Sequence, residues 1–209
     1  MRVSVHGVGP LYVNCYVVQD EGTGRAAIID PGGVSEELLE QIDRIGTDKI
    51  DYILLTHFHF DHILGAARLH IKTGAPVAIH RLEEKGLDDP ALNGLDGFGF
   101  SSSATIKADM TYDEGDTFVV GDLTLRVMHT PGHTVGSSCF VCENAIFSGD
   151  TLFCESVGRT DLPTGNQRDI LRSVNRLCQM DGDYDVYPGH DCKTTLSHER
   201  AHNPYYGVI

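Results

Sequence analysis

Apolar and polar positions alternate from the start of the chain. VSVHG at 3–7, YVNCYVVQ at 12–19 and AAIID at 26–30 carry β-branched and aromatic residues at the period of a strand, and PGG closes the last of them. The period then lengthens. In SEELLEQIDRIG the apolar residues Leu38, Leu39, Ile42 and Ile45 recur as on one helix face. A strand YILLT at 52–56 follows, then a helix from near Asp61 with Ile63, Leu64, Ala67 and Ile71 at helical spacing, then a short strand PVAIH at 76–80.

The second half repeats this order. TFVV, LTLRVMHT, SSCFVC and AIFSGD read as strands separated by the turns GD and EN; a helix near NQRDILRSVNRLCQM and a strand YDVYPGH come after them. Mixed strand blocks with interspersed helices predict a layered α/β structure in which sheets pack together under a cover of helices. No long linker divides the halves, so one domain over 1–209 is expected. Between them, LDDPALNGLDGFGFSSSA is rich in Gly, Ser and Asp, the composition of a loop that gates a substrate or simply wanders over the surface.

Charge narrows the partners. With 30 acidic against 16 basic residues and a formal net charge of −14, the molecule's field repels phosphate backbones and anionic membranes. The N-terminal residues lack a secretory pattern, and no stretch approaches the roughly 18 apolar residues a membrane helix needs. A cytoplasmic chain acting on a small molecule, with neither nucleic acid nor membrane as partner, is the expectation. The six cysteines are scattered, as suits reduced thiols. The CxxC of Cys139 and Cys142 falls in an apolar strand pattern with no second pair to complete a zinc cage, which favours strand-core cysteines over a redox role.

The chemistry sits at strand ends. THFHFDH crowds His57, His59, Asp61 and His62 between a strand and a helix; His133 lies in TPGHT, Asp150 ends AIFSGD and His190 ends YDVYPGH. A single histidine is more often an ordinary hydrogen-bonded residue, and His6, His70, His80, His129, His198 and His202 are read so. Four polar residues packed at one strand end without a partner would be costly, which favours metal for the cluster. Imidazole and carboxylate suit zinc and similar ions, and a catalytic ion takes about three protein ligands, so these residues exceed one ion's needs.

These motifs resemble the metallo-β-lactamase superfamily over nearly the whole chain. The resemblance implies an αββα sandwich with two divalent ions, Zn2+ with Fe or Mn as alternatives. His57, His59 and His133 would hold one ion, Asp61, His62 and His190 the other, and Asp150 would bridge; Asp61 and Asp150 are thus the carboxylates at the reacting centre. Asp30 in IIDPGG matches an early aspartate that orients ligand histidines. Within the superfamily, GDTLFCESVGRTDLPTGN and the tail YPGHDCKTTLSHERAHNPYY look like the short members of the glyoxalase II group, hydrolases of acylated glutathione. That implies thioester cleavage by a metal-bridging hydroxide, with Arg159 reaching toward substrate or else pairing with Asp161.

Two departures accompany the resemblance. Only 19 residues follow His190, so the C-terminal helical domain that supplies glutathione contacts in full-length glyoxalase II is expected to be absent, and Asp191 stands where the short relatives have glycine. A second reading is a persulfide dioxygenase of the same superfamily, with one iron on His57, His133 and Asp150. Such enzymes share GRTD but continue differently from the LPTGN found here. A non-catalytic metal-binding protein on this fold is the third class.

Overall fold

The computed structural model describes residues 1–99 and 106–208. Its first sheet runs in chain order through β1 (Arg2–Val8), β2 (Val13–Gln19), β3 (Ala26–Ile29), β4 (Ile50–Leu54), β5 (Val77–His80) and β6 (Met110–Tyr112). The first three pair antiparallel; from β3 to β6 the pairing is parallel. Parallel neighbours need crossovers, and helices supply them. α1 (Glu36–Ile45) joins β3 to β4, α2 (Phe60–Ile63) and α3 (Ala66–Thr73) join β4 to β5, and α4 (Leu95–Phe98) lies before β6.

The second sheet begins as a meander of β7 (Thr117–Val120), β8 (Leu123–His129), β9 (Ser138–Cys142) and β10 (Ala145–Gly149). A hairpin of β11 (Leu152–Phe153) and β12 (Ser156–Val157) follows, then α5 (Gln167–Cys178). α5 carries the chain over to β13 (Asp185–Pro188), parallel to β10, and β14 (Thr194–Thr195) and α6 (Leu196–His202) complete the described elements.

Side-chain alternation sorts the core into three apolar layers. Tyr16, Val18, Ile29 and Leu54 of the first sheet meet Phe118, Leu125, Phe140 and Phe147 of the second between the sheets. The other face of the first sheet packs Ile28 and Ile53 on Leu38, Ile42 and Leu69 of α1 and α3. The other face of the second packs Val141 and Val186 on Val174 and Leu177 of α5. This is the αββα sandwich. The same alternation separates the CxxC pair: Cys142 belongs to the layer between the sheets and Cys139 to the outer one, so both are core residues on opposite faces of β9.

Helix ends follow local chemistry. Ser35 Oγ caps α1 by accepting from Leu38 N at 3.2 Å, and Asn166 caps α5 by accepting from Arg168 N and Asp169 N. The single helix expected from Asp61 is instead two, and Ile71 is 84% exposed rather than packed. The break has a cause at Gly65, whose N–H donates to Pro31 O at 2.7 Å instead of to the carbonyl four residues back. In the glycine-rich stretch, residues 87–99 form turns and α4, held where Phe60 N donates to Asn93 O at 2.9 Å; residues 100–104 of that stretch lie outside the described residues. No helix among the described residues is long and apolar enough to cross a membrane.

Candidate metal centre

Each residue singled out at a strand end lands at one edge of the sandwich. His57 and His59 follow β4, Asp61 and His62 sit in α2, and His133, Asp150 and His190 follow β8, β10 and β13. The structure brings all seven together. Donor atoms of His57, His59 and His133 lie within 4.8 Å of one another, as do those of Asp61, His62 and His190, and those of His57, His62 and Asp150. Asp150 lies between the two trios: its Oδ1 is 3.3 Å from His62 Nε2, its Oδ2 3.5 Å from His133 Nε2 and 3.8 Å from His190 Nε2.

A glycine beside the site makes room for this carboxylate. A Cβ on Gly189 would stand 2.3 Å from Asp150 Oδ1 and 2.6 Å from His62 Cε1. β2 holds the same loop from the opposite sheet, since Asn14 N donates to Gly189 O at 2.7 Å and Tyr16 Oη to Pro188 O at 2.6 Å.

Hydrogen bonds outside the cluster aim the rings. His62 Nδ1 lies 2.9 Å from Asp30 Oδ2, and the same carboxylate accepts from Thr56 N and Thr56 Oγ1, each at 2.7 Å. This is the orienting contact expected of Asp30. His57 Nδ1 lies 3.0 Å from Thr56 Oγ1, and His133 Nδ1 lies 2.7 Å from Arg159 O. With one nitrogen engaged, the other is turned inward. Two contributors escaped the sequence reading. Thr56 sat inside the quoted motif without a role, and Glu83, fully buried, accepts from Phe58 N at 2.9 Å and Gly136 N at 2.5 Å, tying the His57–His59 loop to the loop after His133. No local pattern marks Glu83, because both partners are distant in sequence.

Inward-facing polar atoms remain unsatisfied. Nε2 of His57, His59 and His62 and Oδ1 of Asp150 are buried without a hydrogen-bond partner, the 3.3 Å approach of His62 to Asp150 lacking hydrogen-bond angles. Buried polar atoms are rarely left so, and cations held by the two trios would satisfy His57 Nε2, His62 Nε2 and Asp150 Oδ1, while His59 presents Nδ1, 2.8 Å from His133 Nε2. The electrostatics agree. Burial, then the His62, His133 and His59 rings, holds His57 well below its ordinary value; burial and His133 hold His59 down to about 3, so both rings offer lone pairs. Burial opposes charge on His62, but Asp150, Asp61 and Asp30 outweigh it and raise the ring. Three carboxylates there draw a positive charge inward. The residues fit divalent metal ions.

A cavity of about 410 Å3 opens onto the cluster. Leu11, Phe60, Phe98, Phe153, Val157 and Leu162 give it an apolar wall, and Asp61, Asp150, His190 and Arg159 give it a polar end. Arg159 also realises the alternative contact, a two-pronged pair with Asp161 at 2.8 and 2.7 Å. Asp191, the departure beside His190, adopts φ +63°, a left-handed conformation that glycine takes more easily and aspartate tolerates.

The family model of the metallo-beta-lactamase superfamily matches residues 8–190. The chain belongs to that superfamily. Superfamily relatives include the probable metallo-hydrolase YqgX of Bacillus subtilis, 35% identical over 95% of this chain and 94% of that one. Another is the hydroxyacylglutathione hydrolase GloC of Haemophilus influenzae, 29% identical over 98% of each. Among solved structures, the BLEG-1 B3 metallo-beta-lactamase superposes with a TM-score of 0.90 at 35% identity, over 99% of this chain and 100% of its own. TTHA1623 in a di-iron-bound form gives 0.84 at 33%, covering 97% and 99%. ETHE1 from Myxococcus xanthus gives 0.76 at 28%, covering 98% and 84%.

Proposed function

We propose that this metal-dependent hydrolase cleaves small-molecule thioesters, of the S-lactoylglutathione kind, at a pair of divalent ions. His57, His59 and His133 would hold one ion, Asp61, His62 and His190 the other, with Asp150 shared. The observation that carries the reading is Asp150, set within 3.3–3.8 Å of histidines from both trios at the mouth of a half-apolar cavity. Likeness to GloC over nearly its full length supports the thioester class.

Ions bound there would supply water activated near neutral pH and a Lewis acid for the carbonyl. The chain's own residues do the rest. Asp30 and Thr56 fix which ring nitrogens face inward, and Gly189 lets Asp150 approach. The Phe60, Phe98 and Phe153 wall takes the apolar part of a substrate and displaces water, which strengthens charge interactions at the polar end. The half-exposed Arg159 guanidinium lies where an anionic end of the substrate can meet it. A thiolate leaves readily, so no strong general acid is obligatory, and no serine or cysteine nucleophile is called for.

The test is thiol release from S-lactoylglutathione beside oxygen uptake with glutathione persulfide. Thiol release without oxygen uptake is the expected result. Oxygen uptake by protein holding one iron would replace this reading with the dioxygenase, which the likeness to ETHE1 keeps in view. His59→Ala and Asp150→Ala are each expected to lower thiol release more than about 100-fold with unchanged far-ultraviolet circular dichroism.

A further inference from the structure

A second group of metal-ligating side chains lies around the β11–β12 hairpin and α6. Ligand atoms of Cys154, in the hairpin turn, and of His198 and Glu199, in α6, all lie within 4.8 Å of one another. Burial, and then the neighbouring Cys192 thiol, push the Cys154 thiol up. Cys154 and His198 line a small cavity with Lys193, Thr194 and Thr195, none of which borders the larger cavity over the His/Asp cluster.

Packing does not account for the thiols. Free cysteine behaves as a small hydrophobe and is usually buried. Cys15, Cys139, Cys142 and Cys178 obey that rule, whereas Cys154 is half-buried and Cys192 exposed, and the charge on one opposes charge on the other. Glu199 is fully buried and accepts from Thr194 Oγ1 at 2.6 Å, Asn203 Nδ2 at 2.8 Å and Glu155 N at 2.9 Å. Two of these bonds fall on Oε2 and one on Oε1, so Oε1 keeps a lone pair. His198 Nε2 lies 3.0 Å from Glu155 Oε1, a second carboxylate drawing positive charge to the spot.

We propose that the gathered Cys154, His198 and Glu199, joined by the exposed Cys192 on a turn of its side chain, form a second, sulfur-containing site for a zinc-class divalent ion. Two sulfurs, one nitrogen and one oxygen match the four-coordinate preference of zinc, while thiolates select against calcium and magnesium. Binding releases the two thiol protons to solvent. The ion would fasten the hairpin turn to α6, and this hairpin carries Phe153, Ser156 and Val157 of the larger cavity's wall. The site therefore fixes the wall against which a substrate rests.

The His/Asp cluster contains no sulfur donor, which makes cobalt a selective probe. Fully reduced protein, preloaded with zinc at the His/Asp cluster, is titrated with Co2+ while thiolate-to-cobalt charge-transfer absorption is followed. The expected result is a saturable band that added zinc removes, that is lost in Cys154→Ser and in Cys192→Ser, and that His198→Ala weakens at least several-fold. Thiol release by the two serine variants is expected to persist, showing that they fold. No band in the wild type overturns the site. So does a band that survives either serine variant or is indifferent to His198→Ala, because such absorption belongs to scattered thiols. A Cys154–Cys192 disulfide persisting under reductant, seen as four free thiols instead of six, overturns it as well.

Discussion

Asp30 holds its backbone at φ +50° so that one carboxylate can receive Thr56 N, Thr56 Oγ1 and His62 Nδ1 together. Asp30→Asn keeps an oxygen for Thr56 N but puts an amide against His62, turning its ring to the wrong tautomer. Metal affinity is expected to fall roughly 10- to 100-fold with the fold retained, as measured by chelator competition. Glu83 gives a separate test through pH. Burial raises its carboxyl from 4.5 to about 7, against the opposing pull of the Phe58 and Gly136 N–H groups. Folding thus favours its protonated form. Its contribution to stability is complete below pH 4.5 and is lost as pH rises through about 7. The stability of wild type relative to Glu83→Gln is expected to fall by on the order of 3 kcal/mol between pH 4 and 8 in urea titrations. A difference that stays flat with pH would remove Glu83 from this role.

At the scale of elements, the turn after β3 is pressed against α2. A Cβ on Gly32 would come within 1.3 Å of Asp61 O and 2.4 Å of Val13 Cγ1. Gly32→Ala is expected to cost at least about 2 kcal/mol and to lower metal occupancy by displacing Asp61, read from urea midpoints and metal content. How far such relations show in the sequence depends on whether their partners are local. The strands were readable because alternation is built into each segment, and the seven candidate ligands because they crowd into THFHFDH or end a strand. The break between α2 and α3 was not, since its cause is the distant Pro31 carbonyl. α6 escaped too: LSHERAH buries only Leu196 and Glu199, too few apolar positions to show a period. Asp30 was readable through the family motif, whereas Glu83 acts through backbone groups that no pattern records.

For the whole molecule, the cluster lies where two separately ordered sheets meet, with four of its residues after β4 and three after strands of the other sheet. Removing ions with a chelator is expected to lower unfolding free energy by about 3 kcal/mol relative to protein at 100 times the metal's dissociation constant, and readdition is expected to restore it. Equal midpoints with and without chelator would argue against ions in the cluster. The division between sheets also bears on how the chain matures. Before the halves dock, the first offers only His57, His59, Asp61 and His62, and the second holds single ligands on separate strands, so neither grips an ion firmly. Firm retention is expected only once the halves have closed correctly. Metal content after refolding is therefore expected to track the fraction of chains whose two halves have met in register.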